Sequence, residues 1–288
     1  MRLGPSASAA STSARFVADL EPGTATVPFT GPAASGAGQS ADVIGQGYRW
    51  HDCGMCGRYA ASRDVQELQT LFDVTEVDGP ALPASYNIAP TQQTYIIDQH
   101  DDHRRLRVVN WGLVPSWSQD ASGAARLINA RSESITEKPS YKQAYAKRRC
   151  IIPMDGWYEW SGREKQPWYI MRKDGIAAIA GIYERWAPPN DNGRVLHTCS
   201  VITTDCGDDV AHIHDRMPVV LDRANIEWWL DPSSNPLDLR SLLKPASAGT
   251  LQAWKVSKAV SQVRNDGPQL IAPLETPTPE QIDLFAGE

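Results

Sequence analysis

Cys56 is a candidate reactive residue because of its position in the sequence. It directly follows Met55, at the point where a segment rich in Ala, Ser, Gly and Thr gives way to a sequence with regularly recurring apolar residues. A thiol is a strong nucleophile, and a cysteine that begins a chain carries an α-amine beside its thiol. The composition change at Met55 raises the question of whether this methionine is the natural first residue and Cys56 the reactive end of the chain.

A carboxylate and an imidazole could complete a thiol-based site with Cys56. Glu159 lies in the segment DGWYEW, where desolvation by aromatic neighbours would raise its pKa toward a value useful for proton transfer. His214 lies in HIHDRMP, beside two charged residues that could fix its environment. Because any chain of this size contains all three residue types, a surface salt bridge for Glu159 and an ordinary loop position for His214 remain the alternatives.

Basic and aromatic residues point to a second kind of site, one that binds nucleic acid. The run KPSYKQAYAKRR (138–149) places five basic residues beside two tyrosines, in a protein whose formal net charge is -6. It would form either a solvated helix face or a patch that contacts phosphates. Trp111 and Trp117 begin and end the segment WGLVPSW, where they would either pack in the core or stack on bases.

Composition argues against several classes of function. The net negative charge does not suit a protein that coats DNA by bulk electrostatics, and no apolar run is long enough to cross a membrane. The sequence shows no secretory signal, and its five scattered cysteines form no disulfide framework, so we expect a cytoplasmic protein.

Metal and cofactor sites are disfavoured as well. Cys53 and Cys56 form a C-x-x-C pair without a second pair at zinc-ligand spacing, and His212 and His214 could at most share one face of a strand. Glycine-rich phosphate-binding motifs are absent from the sequence. We therefore expect neither a metal nor a cofactor.

The elements that must position the candidate residues are mainly strands. Apolar residues at helical spacing predict one helix near 65–72, with Asp64 and Glu67 at the spacing of a capping box. Further helices are predicted at 223–230 and 237–243. Strands are predicted for TYIID (94–98), LRVVNW (106–111), PWYIM (167–171), IAAIAGIY (176–183) and TCSVITT (198–204), and a turn for PPNDNG (188–193).

The sequence therefore predicts a single strand-rich α+β domain. Residues 1–54 cannot bury enough apolar surface to offset their ordering entropy, which predicts a disordered leader outside the mature protein. The domain would occupy residues 55–275, and a tail over 276–288 would add one short helix from near Thr278.

Seven segments resemble, in order, motifs of the SRAP family (SOS response associated peptidase), whose members shield abasic sites in DNA. The segments are MCGRYA, YNIAPTQ, WGLVPSW, LINARSE, PMDGWYEW, HDRMPV and VSKAV…VRNDGPQLI. The resemblance runs from Met55 to about Pro273, and the joint, ordered occurrence of so many motifs is highly specific. It implies an open β-barrel-like core with peripheral helices.

The resemblance also implies catalytic residues. Cys56 matches the family's nucleophile, the cysteine that follows the initiator methionine. Asn129 matches the asparagine of the NAR motif, Glu159 the glutamate of the GW-aromatic-EW motif, and His214 the histidine of the HDR motif. The implied roles are orientation of the sugar for Asn129, proton transfer for Glu159, and sugar ring opening and crosslink release for His214.

DNA contacts are implied in the same way. Arg131 of the NAR motif and Arg58 match arginines that contact the DNA backbone, and Arg216 is expected to join them. Trp111 and Trp117 are expected to stack on bases or separate them. Met217 stands where some relatives carry an arginine, which puts one peripheral contact in doubt.

The chemistry implied for the family explains why its cysteine must be N-terminal. An abasic deoxyribose opens to an aldehyde, an α-amine forms an imine with it, and the neighbouring thiol closes a thiazolidine ring. We thus expect a monomeric, cytoplasmic enzyme, associated with the nucleoid when on DNA, that crosslinks to abasic sites in single-stranded DNA. A start at Met55 is favoured over cleavage of the leader, since the leader carries no processing signal.

Two other functions remain open at the level of sequence. A thiol peptidase, with a hydrolase or lyase activity, would use the Cys56 thiol alone and could remove its own leader. A non-covalent single-stranded DNA-binding module would keep Cys56 only as a structural residue.

Overall fold

The computed structural model describes residues 56–189 and 195–274. The strands found there are β1 (Tyr59–Ala61), β2 (Val74–Asp78), β3 (Ser85–Ile88), β4 (Gln93–His100), β5 (His103–Trp111), β6 (Asn129–Arg131), β7 (Arg149–Met154), β8 (Gly156–Ser161), β9 (Gln166–Arg172), β10 (Ala177–Trp186), β11 (Leu196–Asp205), β12 (Arg216–Pro218), β13 (Val220–Leu221) and β14 (Leu251–Lys255). The predicted leader, the predicted helix near Thr278 and part of the predicted turn at 188–193 lie outside the described residues.

Helices in the described residues are few and short, which confirms the strand-rich prediction. The α-helices are α1 (Val65–Phe72), α2 (Lys142–Lys147) and α3 (Ile226–Leu230), and 3-10 helices cover Ala124–Arg126, Arg223–Asn225, Asp238–Leu242, Lys258–Ser261 and Pro268–Leu270. None of the helices within 56–189 and 195–274 has the length and apolar character needed to span a membrane.

A five-stranded antiparallel sheet carries two of the motifs that the sequence singled out. Its strand order is β14-β9-β8-β1-β3, so the end of the MCGRYA motif on β1 lies directly beside the end of PMDGWYEW on β8. The pairing of Tyr59 with Trp157 and of Ala60 with Gly156 fixes the register of these two strands. Residues nearly one hundred positions apart in sequence therefore meet at one point of the sheet.

The second sheet has nine strands and curls. Its main order is β12-β11-β10-β7-β4-β5-β2, with β13 joined to β10 and β6 joined to β11. Strand β11 pairs a second time with β5, in parallel, through Thr198 with Asn110 and Cys199 with Trp111. Because that contact is two residue pairs long and β4 meets β7 at one pair, the sheet forms an open barrel-like core rather than a closed barrel.

Three buried clusters fill the spaces around the two sheets. The middle cluster lies between the sheets and contains Cys56, Tyr59, Trp111 and Trp157. A second cluster packs α1, α2 and α3 against the outer face of the nine-stranded sheet, and a third covers the outer face of the five-stranded sheet. Cys56 therefore lies in the core between the two sheets.

The helix predicted near 65–72 is confirmed together with its N-terminal cap. In α1 the Asp64 carboxylate accepts a hydrogen bond from the Glu67 N–H (2.8 Å) and the Glu67 carboxylate accepts one from the Asp64 N–H (3.2 Å), which is the predicted capping box. The helix predicted at 223–230 is split between a 3-10 turn and α3. The one predicted at 237–243 is a 3-10 helix, Asp238–Leu242.

Candidate functional site

Cys56 is held from both sides although its own side chain makes few polar contacts. The residue is 1% exposed, and its thiol donates a weak hydrogen bond to the Arg58 carbonyl at 3.8 Å. The Asn129 side-chain amide donates to the Cys56 carbonyl at 3.0 Å. Strand β6 of the nine-stranded sheet thus fixes the residue that precedes β1 of the other sheet.

Glu159 faces the same buried space as Cys56. Side chains alternate along β8, so Trp157 and Glu159 point toward the core between the sheets while Tyr158 packs in the outer cluster. Glu159 is 3% exposed, and its Oε1 has no hydrogen-bond partner among the described residues. A buried carboxyl with an unused oxygen is unfavourable for stability and is typical of a functional site.

Burial dominates the acid–base behaviour of the site. Desolvation raises the pKa of the Glu159 carboxyl, the Asp215 charge raises it further, and a hydrogen bond from the Cys56 backbone N–H acts in the opposite direction. Desolvation and the Glu159 charge also raise the pKa of the Cys56 thiol. The site therefore holds a neutral thiol and places a carboxyl against the backbone nitrogen of the same cysteine.

Asn129 contacts Cys56 directly, and His214 follows Ile213, which packs in the same cluster as Cys56. The Oδ1 atom of Asn129 is buried without a hydrogen-bond partner among the described residues, while its Nδ2 is held by Cys56. The His214 Nδ1 accepts a hydrogen bond from the Arg216 N–H at 3.0 Å and lies 3.0 Å from the Asp215 carboxylate. The bond from the Arg216 N–H requires an Nδ1 without a proton, so the ring that keeps this bond carries its N–H on Nε2.

Two residues expected to contact DNA are instead part of the core. Arg58 is 8% exposed, and its guanidinium donates to the Asn87 side chain (2.8 Å) and to the Val260 carbonyl (2.9 Å). Trp111 is fully buried, stacks edge-on against Tyr59 at 4.9 Å and donates its indole N–H to the Ile128 carbonyl. In this structure neither side chain is free for the phosphate contact predicted for Arg58 or the base stacking predicted for Trp111, because both polar groups are already bonded inside the protein.

The expected DNA contact of Arg216 also disagrees with the structure. Its guanidinium donates to the Glu133 carboxylate at 2.5 Å, the Asp205 carboxylate at 2.6 Å and the Thr203 carbonyl at 3.0 Å. Two carboxylates already neutralise this cation, so a phosphate would have to displace them. In this arrangement Arg216 anchors the strand end beside His214.

Arg131 and Trp117 are placed where they can take the roles predicted for them. Arg131 is exposed and forms no ion pair with any described residue, and it follows Asn129 by two positions on β6. Trp117 is 61% exposed on the loop after β5. A cation and an aromatic ring on the surface can bind a phosphate and a base, so both assignments stay as proposals.

The basic run at 138–149 divides between the core and the surface. Arg149 is buried against backbone carbonyls, Arg148 pairs with Glu184 at 2.8 Å, and both tyrosines are buried. Lys138, Lys142 and Lys147 are exposed. Only the three lysines could contribute to a patch that contacts phosphates.

His212 and His214 do not share one face of a strand. Residues 211–213 form a turn, and His212 packs edge-on against Trp168 rather than beside His214. Among residues 56–189 and 195–274, no group of three or more His, Cys, Asp or Glu side chains could hold a metal ion. Cys53 lies outside the described residues.

Comparisons with known proteins agree with this geometry. A family model for SOS response associated peptidase (SRAP) matches residues 55–263. The chain belongs to the SRAP family. It is 38% identical over 224 residues to the abasic site processing protein YoqW of Bacillus subtilis (strain 168), covering 75% of this chain and 99% of that protein.

Other SRAP relatives come from distant organisms. The abasic site processing protein YedK of Escherichia coli (strain K12) is 32% identical over 235 residues, covering 76% of this chain and 100% of that protein. The abasic site processing protein HMCES of Gallus gallus is 31% identical over 277 residues, covering 81% of this chain and 82% of that protein. A solved structure of a protein from Bacteroides thetaiotaomicron superposes with a TM-score of 0.69 at 29% identity, covering 76% of this chain and all of that one.

Sequence reasoning missed two residues of this SRAP domain that bear on the site. Asn87, in the YNIAPTQ motif, accepts from Arg58, and its Nδ2 lies within hydrogen-bond distance of three backbone carbonyls. Its buried side chain gives no signal in composition. Trp168 lies directly across from Glu159 on β9. Counting outward from the turn of the β8–β9 hairpin would have placed this tryptophan beside the carboxylate.

Proposed function

We propose that this protein processes abasic sites in single-stranded DNA by forming a covalent crosslink through Cys56 as the N-terminal residue of its active form. The observation that carries the proposal is the Glu159 carboxyl, buried without a partner for one oxygen and hydrogen-bonded to the Cys56 backbone nitrogen. In the active form that nitrogen is the α-amine. A group able to move protons therefore lies against the atom that attacks.

The steps of the proposed reaction balance without a cofactor. The neutral α-amine adds to the aldehyde carbon of the ring-opened sugar, and loss of water gives an imine. The Cys56 sulfur then bonds to the imine carbon while the thiol proton passes to the imine nitrogen, which closes the thiazolidine. A free α-amine has a pKa of about 7.7–8.0, so a useful fraction is neutral at physiological pH.

The side chains around Cys56 take separate roles in this proposal. Glu159 accepts the proton from the attacking amine and returns it to the leaving hydroxyl. Asn129 holds the Cys56 carbonyl and offers its unpartnered Oδ1 to the sugar. His214, with its proton on Nε2, assists opening of the sugar ring and release of the crosslink.

The state of the thiol favours this reaction over thiol-peptidase chemistry. A peptidase cysteine attacks as a thiolate and depends on a lowered pKa. Burial and the Glu159 charge instead raise the pKa of the Cys56 thiol. A thiol that adds second, to an imine already formed, can give up its proton to the imine nitrogen in the same step.

We expect Cys56→Ser and Cys56→Ala variants, prepared to begin at residue 56, to form no heat-stable adduct with abasic single-stranded DNA. The parent beginning at the same residue should form one, visible on a denaturing gel. The serine variant keeps its amine, so borohydride should trap it on DNA as a reduced imine. A serine variant that forms a heat-stable adduct without borohydride would rule out ring closure by the thiol.

We expect Arg131→Ala to weaken binding of single-stranded DNA without changing the crosslinking rate at saturating DNA. Loss of one phosphate contact should lower the slope of log K against log salt by about 0.7. Fluorescence anisotropy across a salt series measures this slope. Arg240→Ala is the matched control, because Arg240 is also exposed and forms no ion pair with a described residue. Equal slopes for the two variants would remove Arg131 from the proposed DNA surface.

A further inference from the structure

Three side chains stand in a row across the five-stranded sheet, starting at Glu159. Glu159 on β8 pairs with Trp168 on β9, and Trp168 pairs with Lys255 on β14. Directly opposed residues of antiparallel strands project from the same face of a sheet. The row therefore leads from the carboxyl beside Cys56 to a lysine at the edge of the sheet.

The outer part of this row gathers nitrogen groups around one indole. The Lys255 Nζ lies 5.6 Å from the centre of the Trp168 ring, and the His212 ring stands edge-on to the same indole at 5.3 Å and 84°. The Trp168 Nε1 donates to the Ser161 hydroxyl at 2.8 Å, which fixes the ring, and Trp168 packs on the cluster that contains Cys56. The indole thus holds Lys255 beside the site.

Neither nitrogen group is neutralised by the protein. Lys255 and His212 are exposed, and neither forms an ion pair with any described residue. Two other cations near the site are already hydrogen-bonded within the protein. Arg58 donates to a backbone carbonyl, and Arg216 donates to two carboxylates. A lysine ammonium and an imidazole N–H beside an aromatic ring form a set of donors suited to a phosphate oxygen.

We propose that Lys255 and His212, assembled on Trp168, form a subsite for a backbone phosphate that flanks the abasic sugar. The proposal rests on the proposed function, because that function places the sugar at Glu159. Neighbouring strands lie about 4.8 Å apart, so Lys255 stands about 10 Å from Glu159, within reach of a phosphate next to the lesion. The subsite would fix which way the strand runs past Cys56.

The test uses the full chain and single-stranded DNA with a tetrahydrofuran analogue of the abasic site. This analogue cannot open to an aldehyde, so binding is measured without any covalent step. Replacement of one phosphate at a time by an uncharged methylphosphonate maps each contact. At one flanking position, we expect the methylphosphonate to lower the affinity of the parent several-fold. At the same position it should leave the affinity of Lys255→Gln unchanged.

Two further variants separate the charge from the lysine itself. Lys255→Gln should lower the salt slope by about 0.7, and Lys255→Arg should restore it. Lys244→Gln, at an exposed lysine outside the row, should match the parent in slope and in the methylphosphonate profile. An unchanged slope and an unchanged profile for Lys255→Gln would overturn the subsite.

The outcome also distinguishes this inference from the proposed function. If the parent crosslinks to natural abasic DNA while Lys255→Gln binds the analogue normally, only the subsite fails. If the Lys255 effect is present and the parent beginning at Cys56 never crosslinks, the subsite holds and the covalent mechanism fails.

Discussion

The full 288-residue chain should form no heat-stable adduct with abasic single-stranded DNA, whereas the chain that begins at Cys56 should form one readily. When residues 1–55 are attached, the Cys56 nitrogen is a planar amide whose lone pair is delocalised, so it cannot form an imine. The thiol alone then has no partner for ring closure. The expected difference is between a product and none on a denaturing gel.

Non-covalent DNA binding by the two chains is the control for this comparison. Both chains should bind single-stranded DNA carrying the tetrahydrofuran analogue, because the exposed Arg131 is present in each. Intact-mass measurement of the crosslinked species identifies its first residue. A crosslinked species whose mass includes residues 1–54 would contradict both the proposed start and the proposed chemistry.

Glu159→Gln should slow adduct formation by about 10²-fold or more, which is the ordinary contribution of a general acid–base. The variant keeps the shape of the side chain and loses the ability to accept a proton from the attacking amine. Single-turnover gels of the chain beginning at Cys56 measure the rate at saturating DNA. Glu164→Gln, in the exposed turn after β8, is the control and should react like the parent. A Glu159→Gln rate equal to that of the parent would leave the carboxyl without a catalytic role.

The same substitution should stabilise the fold of the full chain at neutral pH. Burial raises the pKa of the Glu159 carboxyl in the folded state above its unfolded value, so the folded protein disfavours the charged form. The penalty is absent below the unfolded pKa of about 4.3 and grows as the pH rises through the folded pKa. Denaturant unfolding of the full-length variant and parent should therefore agree near pH 4 and diverge above it, with the variant more stable. The opposite order at neutral pH would contradict a desolvated carboxylate.

Much of the fold could be predicted from local patterns. The capping box at Asp64 and Glu67 and the strand periodicity near β4, β5, β9, β10 and β11 each depend on a few adjacent residues, and each is confirmed. The helix predicted at 237–243 lies where it was expected, but it is a 3-10 helix over Asp238–Leu242. Local patterns therefore predict where helices and strands lie, but not always whether a helix is an α-helix or a 3-10 helix.

The candidate site was harder to predict because exposure is decided by distant parts of the chain. Arg58 lies in the MCGRYA motif, whose arginine was expected to contact the DNA backbone. Its guanidinium instead donates to the Val260 carbonyl, 202 positions away in the sequence. Trp111 is buried because β5 pairs with β11, a contact that no local pattern indicates. The position of Trp168 follows from the register of one hairpin, which requires the turn to be located first.

The bonds around Arg58 have a consequence for the entropy of the reaction. The first residues of most domains fray, which would leave an N-terminal nucleophile sampling many positions. Here the residue two positions after Cys56 is bonded to Asn87 and to the Val260 carbonyl, and β1 is paired on both sides. In the proposed active form, which begins at Cys56, these bonds would immobilise the chain end when the protein folds, before any DNA binds. Groups held in this way can reach effective molarities of about 10⁵–10⁸ M, and residues 260–265 help to supply that advantage from the far end of the domain.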